Sequence, residues 1–309
     1  MRAIVQDVYG DADVLRLGEV ARPEPGPKDV LVDVRAAGVD RGAWHAMTGL
    51  PLVARLGFGL RKPRHRTIGM DLAGRVAAVG GEVTEFRAGD EVFGSGRAAW
   101  AEFATARPGR LVKKPAHLTF EQAASMPTSG ATARLMLAEG RGEVLVIGAG
   151  GGVGAFAVVL AHARGDRVTA ATSTSKTEAV RGFGADTVLD YTKEPLRGRY
   201  DLVVDLGGNR PLAELRTLLK PRGTLAIAGG EDGGRFLGGL ERNLTLFAVS
   251  PFTKQTLRAP IALTRRADLE ALSELTNPPL ERAYPLDEAP AAMRRLAQGR
   301  VTGKLVLTT

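Results

Sequence analysis

The stretch spanning residues 143–162, EVLVIGAGGGVGAFAVVLAH, constrains this chain more than any other. It opens with Val144, Leu145, Val146 and Ile147, an apolar β-branched run of the kind that forms a strand buried on both faces. Five glycines follow within seven residues (Gly148, Gly150, Gly151, Gly152 and Gly154), and then Phe156, Val159 and Leu160 recur at helical spacing among alanines. Strand, glycine turn and helix in that order turn a loose glycine pattern into the expectation of dinucleotide binding. Glycine lets the backbone turn sharply and approach a pyrophosphate, whose charge meets the free N–H groups and positive dipole of a helix start. In the usual G-x-G-x-x-G frame the three positions are Ala149, Gly151 and Gly154, so alanine replaces the first glycine. The competing reading is a βα turn that holds no ligand.

The following residues bear on which dinucleotide is held. A second strand, Arg167–Thr172, ends where NAD-specific folds place an acid on the ribose 2′-hydroxyl. No acid stands there. Thr172, Ser173, Thr174, Ser175 and Lys176 offer hydroxyl donors and a cation, chemistry suited to a 2′-phosphate, so NADPH is the expected cofactor. The same residues also read as an ordinary hydroxyl-rich cap before a helix.

Around this core the chain changes character twice. The first ~125 residues read as strands and turns, with a proline-rich connection at ARPEPGPKD and clear strands at 30–36, AGRVAAVG, GDEVFG and 100–105. Residues 50–66 read as a long loop, apolar first (Leu50, Leu52, Val53, Leu56, Phe58, Leu60) and then basic, and such loops usually serve binding or act as lids. From about 126 to 264 strands and helices alternate, as in a parallel doubly wound sheet, with a last strand expected at 244–250. An apolar edge at Leu244, Leu246, Phe247 and Val249 invites pairing, hence a homodimer. The tail reads as two helices and a strand, Lys304–Thr308.

Composition excludes several alternatives. A chain of 309 residues with 44% hydrophobic content supports two full cores, and no apolar run reaches the ~18 residues of a membrane span. The absence of cysteine rules out disulfides and thiolate chemistry. With no export signal visible after Met1, the expected location is the cytoplasm. A net charge of +8 raises nucleic acid as a partner. The one dense basic run, Arg61-Lys62-Pro63-Arg64-His65-Arg66, lacks interleaved aromatics, however, so nucleic acid is not expected, and with no spanning run neither is a membrane.

Gly69-Met70-Asp71-Leu72-Ala73-Gly74, Gly89-Asp90-Glu91-Val92-Phe93-Gly94, the glycine turn, Gly184-Ala185-Asp186 with Asp190-Tyr191, and Gly303-Lys304 occur here in order. In this the chain resembles the medium-chain dehydrogenase/reductase superfamily, and specifically its zinc-free, zeta-crystallin-like quinone oxidoreductase branch. The resemblance implies an α/β fold. A β-rich GroES-like catalytic domain would span 1–125 and 265–309, and a Rossmann NADP-binding domain 126–264. It implies cofactor contacts from Thr128, Thr132, Ala149, Gly150, Gly151, Gly152, Val153, Gly154, Ser173, Lys176, Tyr191, Leu206, Gly229, Phe252 and Lys304. Zinc members of the superfamily use Cys, His and Cys at the catalytic metal. Here Asp40 and Met70 stand at the first two positions, and the four histidines (His45, His65, His117, His162) show no ligand spacing, so no metal is expected. Asp40 takes the place where the zinc-free branch has asparagine, and His45 lies nearby. Both are candidate catalytic residues, with capping or surface roles as the alternative. Leu50, Leu56 and Phe58 are candidate substrate contacts. The implied activity is reduction of a quinone, an enone or a related electrophilic carbonyl. Ketone/alcohol interconversion and a non-catalytic NADPH-binding protein remain the alternatives.

Overall fold

The structure is a computed structural model that describes residues 1–229, 233–261 and 263–309. Its backbone divides into two compact units. The first comprises Met1–Leu50, Ala54–Ala131 and Leu263–Thr309, and the second Pro51–Val53 and Thr132–Ala262. The sequence places the boundaries at 126 and 264; the structure moves them by a few residues and assigns the short Pro51–Val53 segment to the second unit.

In the first unit, β1 (Arg2–Val5) and β2 (Arg16–Glu19) form an antiparallel pair. The main sheet contains β3 (Val30–Val39), β4 (Asp71–Val79), β5 (Glu91–Ser95), β6 (Phe103–Ala106) and β7 (Leu111–Lys113), with β14 (Leu280–Pro285) and β15 (Lys304–Thr308) added by the returning chain. Strand order is β14-β15-β3-β4-β5-β7, with β6 also paired to β3. Val30, Val32, Val34, Leu72, Val92, Leu305 and Leu307 fill its core, with Trp100 buried among them. Trp100 satisfies its indole N–H on Gly38 O at 3.0 Å, as a buried indole must. Residues 41–48 form the helix α1 (Arg41–Thr48), which ends on Gly49 at φ +62°. The supposedly irregular loop after it contains a 3-10 turn, Leu52–Ala54, and the short helix α2 (Arg55–Phe58). Two further helices, α3 (Phe120–Ser125) and α4 (Pro127–Met136), follow the β-rich segment.

The second unit is a six-stranded parallel sheet. Its strands are β8 (Glu143–Ile147), β9 (Arg167–Thr172), β10 (Thr187–Asp190), β11 (Tyr200–Asp205), β12 (Leu219–Ile227) and β13 (Thr256–Arg258), in the order β10-β9-β8-β11-β12-β13. That is the doubly wound order, with the direction of growth reversing between β8 and β11. Val144, Leu145, Val146, Leu202, Val203 and Val204 are fully buried, as expected for strands covered on both faces. Helices α5 (Gly152–Ala163), α6 (Thr177–Gly182) and α7 (Leu212–Thr217) connect them.

One expectation fails here. Residues 244–249 are not a strand but part of the helix α8 (Leu240–Val249), and the sheet's last member is β13. An apolar run without clear period fits either state, and in the helix only Leu246 is buried while Leu240, Leu244 and Phe247 face solvent. The expected homodimer, which rested on that strand edge, loses its basis. In the tail, α9 (Arg266–Leu272) and α10 (Ala289–Ala297) precede β15.

Candidate active site

The glycine turn builds a candidate cofactor site within the second unit. Gly148, at the end of β8, has φ +81°, a conformation that disfavours any side chain. A Cβ on Gly154 would lie 2.1 Å from Gly148 O, so α5 can pack this closely on the turn only with glycine there. At Gly151 a Cβ would meet nothing nearer than Gly148 O at 3.5 Å, so the turn is open at its centre. Gly151 is the N-cap of α5 and has no side chain to cap it. The first N–H groups of this twelve-residue helix, from Gly152, Val153 and Gly154, therefore offer themselves to an anion. Ala149 is fully buried and donates its N–H to Ala171 O at 3.2 Å. Methyl and backbone there serve packing, so the missing first glycine is tolerated.

The end of β9 bears on the same turn. The side chain of Lys176 and the hydroxyl of Thr172 both border Gly150, where a Cβ would fall 2.5 Å from Lys176 Cδ and 2.9 Å from Thr172 Oγ1. An acid does lie close by, on the neighbouring strand: Asp190 pairs in register with Thr172. Its carboxylate is already engaged. Thr174 Oγ1 and Thr192 Oγ1 each donate to it at 2.6 Å, Thr192 N–H at 3.0 Å, and Lys193 sits at 3.3 Å. The Thr174 hydroxyl first, then that of Thr192, holds its pKa well below the usual carboxylate range. Asp190 thus fixes the hydroxyl-rich turn carrying Ser173 and Lys176. Tyr191, 42% exposed, donates its N–H to Thr172 O. At the ends of β11 and β12, Leu206 donates its N–H to Ile147 O, and Gly229 (φ +84°) comes close to Leu206 O. Phe252 is 89% exposed and joins none of these contacts.

The first unit holds a cluster of buried charges of its own. Register assembles it: Leu305 pairs with Val39 and Leu72 with Ala37, so Asp40, Asp71 and Lys304 collect at one end of β3, β4 and β15. Asp71 is fully buried, accepting from Thr128 N–H at 2.9 Å, Thr128 Oγ1 at 2.6 Å and Ser95 Oγ at 3.4 Å. Burial first, and then the charge of Asp40, push its pKa up to about 6, against the opposing pull of Lys304 and the Thr128 hydrogen bonds. Lys304, 2% exposed, donates to Val39 O at 3.1 Å. Asp40 caps α1, accepting Ala43 N–H at 2.8 Å. In this structure Asp40 therefore fills the capping role, and Thr128 and Lys304 serve the acid cluster.

His45 lies further along α1, the helix that Asp40 caps. Its Nδ1 donates to Leu50 O at 2.5 Å, which leaves Nε2 as an acceptor, and the ring meets Trp44 edge-on at 5.1 Å. Leu50 is half-buried, whereas Leu56 (73%) and Phe58 (38%) are exposed. Thr132 lies in α4 and opens the second unit.

Three residues escaped sequence reasoning. Asp71 was visible only as part of a family motif; its place at the head of a strand, directly before the apolar Leu72 and Ala73, was the available signal. The pair formed by Asp205, fully buried, and Arg242, which donates to it at 2.5 Å, left no local signal at all.

A GroES-like β unit interrupted by a doubly wound sheet with a glycine turn defines a two-unit pyridine-nucleotide oxidoreductase. Residues 26–116 match the family model of the alcohol dehydrogenase GroES-like domain, and residues 183–307 that of a zinc-binding dehydrogenase. A quinone oxidoreductase of Pseudomonas aeruginosa is 31% identical over 322 residues, covering 97% of this chain and 97% of its own. The solved quinone oxidoreductase of Coxiella burnetii matches with a TM-score of 0.85 at 26% identity, over 100% of this chain and 99% of its own. A mycobacterial protein complexed with NADPH matches at 0.81 and 27%, over the full length of both chains. The chain belongs to the medium-chain dehydrogenase/reductase superfamily, in its quinone oxidoreductase branch, and is an NAD(P)H oxidoreductase.

The zinc in the second family model's description has no donor set here. The chain has no cysteine, Met70 is a poor ligand for the metal, and no group of three or more His, Asp or Glu among the described residues could hold an ion.

Proposed function

We propose that this protein is an NADPH-dependent, metal-free oxidoreductase that reduces a quinone, an enone or a related electrophilic carbonyl. The observation that carries the cofactor choice is Lys176 lying against Gly150, with the nearby carboxylate of Asp190 already engaged by hydroxyls. A 2′-phosphate in that corner meets a cation and Ser173 and finds no uncompensated acid, whereas a bare ribose gains no carboxylate partner. A pyrophosphate fits the N–H groups of Gly152, Val153 and Gly154, with Leu206, Gly229 and Tyr191 bordering the strand ends.

Bound there, the reduced nicotinamide supplies the hydride. The chain's own task is to orient the electrophile, exclude water and supply a proton to the developing oxyanion. The cluster of Asp71, Asp40 and Lys304 is suited to the last task, because a buried acid titrating near 6 keeps part of its protons at neutral pH. His45 is the second residue we assign to proton transfer: with Nδ1 held by Leu50 O, Nε2 accepts a proton and hands it on only after taking one up. Leu50, Leu56 and Phe58 favour a flat, apolar substrate over a small charged one.

Fluorescence titration tests the cofactor reading. NADPH should bind at least ~10-fold tighter than NADH, and Lys176→Glu should shrink or invert that ratio. Equal affinities of the wild type for the two cofactors would overturn it.

A further inference from the structure

Residues 55–66 form a loop that is held firmly yet presents an unusual surface. Helix α2 closes on Gly59, whose N–H donates to Arg55 O at 2.8 Å, and Arg64 N–H returns to Phe58 O at 2.6 Å. Gly59 has φ +119°, and a Cβ there would sit 2.2 Å from Lys62 O, so the loop tip is a tight turn that only glycine permits. Tyr9 Oη donates to Gly59 O at 2.6 Å, Arg55 Nε to Gly49 O at 3.0 Å, and Gln6 N–H to Arg66 O at 2.8 Å. The Arg55 guanidinium also stacks on the Tyr9 ring at 4.5 Å. Both ends of the loop are therefore tied to the β unit.

What this loop exposes is apolar and cationic together. Leu56 is 73% exposed, Leu60 69% and Phe58 38%. Arg61, Lys62, Arg64 and His65 beside them are exposed, and no ion pair neutralises the first three among the described residues. Only Arg66 is paired, to Asp7 at 2.7 Å. No Asp or Glu occurs anywhere between Asp40 and Asp71.

We propose that this loop docks the protein on an anionic lipid surface, with Leu56, Phe58 and Leu60 entering the headgroup boundary and Arg61, Lys62 and Arg64 meeting lipid phosphates. A nucleic acid would use the cations but has no call for three exposed aliphatic and aromatic tips without base-stacking geometry. A lipid interface takes both at once, apolar tips below the phosphates and cations level with them. The sequence expectation of no membrane partner rested on the lack of a spanning segment, which a surface contact does not need. The docking shares Leu56 and Phe58 with the proposed substrate contacts, so its test is made at Leu60 and the loop cations, which that reading does not use.

Vesicle sedimentation of the full chain tests it. Wild-type protein should partition at least ~10-fold more strongly onto mixed phosphatidylglycerol/phosphatidylcholine vesicles than onto pure phosphatidylcholine. Leu60→Ser, which leaves every charge in place, should lose about fivefold, and the triple change Arg61→Gln, Lys62→Gln, Arg64→Gln at least ~10-fold. Arg181→Gln, Arg222→Gln and Arg300→Gln together remove the same charge elsewhere and should change binding less than ~2-fold. Emission of a Leu60→Trp variant should shift blue and be quenched by brominated lipid. Circular dichroism checks that each variant is folded. The proposal falls if Leu60→Ser binds like the wild type, if the remote triple loses as much as the loop triple, or if only duplex DNA, and not vesicles, responds to the loop cations.

Discussion

Asp71→Asn offers a test of the buried acid cluster that does not need a substrate. In the wild type, burial and the charge of Asp40 raise the Asp71 carboxyl from 3.8 to about 6. A group whose pKa is raised on folding favours the folded chain while protonated. Its contribution is fully present below the unfolded value and is lost as pH rises through the folded value. Keeping a carboxylate ionised at such a site costs roughly 3 kcal/mol once the pH lies above both values. Asparagine keeps the geometry: its Oδ1 accepts Thr128 N–H, and its Nδ2 donates to Thr128 Oγ1 once that hydroxyl rotates. It does not ionise, so it carries no such cost. Relative to the variant, the wild type should therefore lose on the order of 1–1.5 kcal/mol between pH 5 and pH 7.5. Urea unfolding of both proteins at the two pH values reads this difference directly. A stability gap between wild type and Asp71→Asn that stays the same at pH 5 and pH 7.5 would refute a raised pKa at this position.

Two further outcomes follow from the site. Gly154→Ala places a Cβ 2.1 Å from Gly148 O, so α5 must back away from the turn; NADPH affinity by calorimetry should fall at least ~10-fold with circular dichroism unchanged, and an undiminished affinity would contradict the packing. Turnover should persist after dialysis against a chelator, in protein that elemental analysis shows free of stoichiometric zinc; loss of turnover restored by added zinc would show a metal site the donor set does not suggest.

Where sequence reading succeeded and failed has a physical cause. The turn at 148–154 was legible because each constraint is local: a positive φ at Gly148 and a 2.1 Å approach at Gly154 can be met only by glycine. The strand Glu143–Ile147 was legible because burial on both faces demands an unbroken apolar run. Residues 244–249 present a similar run and yet form a helix. What distinguishes them lies outside the run: Arg242, two residues before it, reaches the buried Asp205 at 2.5 Å, and the edge of the sheet is taken by Thr256–Arg258, a three-residue strand too short and polar to announce itself. The cluster around Gly150 was half legible. Lys176 could be read from its place after β9, but the binding of Asp190 by Thr174 and Thr192 depends on β10 lying next to β9.

The acid cluster shows most sharply what a linear reading misses. Asp40, Asp71 and Lys304 carry their charges visibly, and each has a bland local explanation: a helix cap, a strand terminus, a solvated lysine. Their meeting depends on register between strands far apart in the chain, and the Lys304–Val39 hydrogen bond joins positions 265 residues apart. Antiparallel pairing of Leu305 with Val39 sets Lys304 beside the end of β3, and pairing of Ala37 with Leu72 sets Asp71 there as well. A slip of one residue in either pairing would turn the side chain to the opposite face of the sheet and break up the cluster. The near-continuous burial of β3, β4 and β15 is thus what holds the register. The same hydrophobic pattern that builds the core of the first unit therefore also gathers two carboxyls and an ammonium at one buried end of the sheet, where burial pushes the pKa of Asp71 up to about 6.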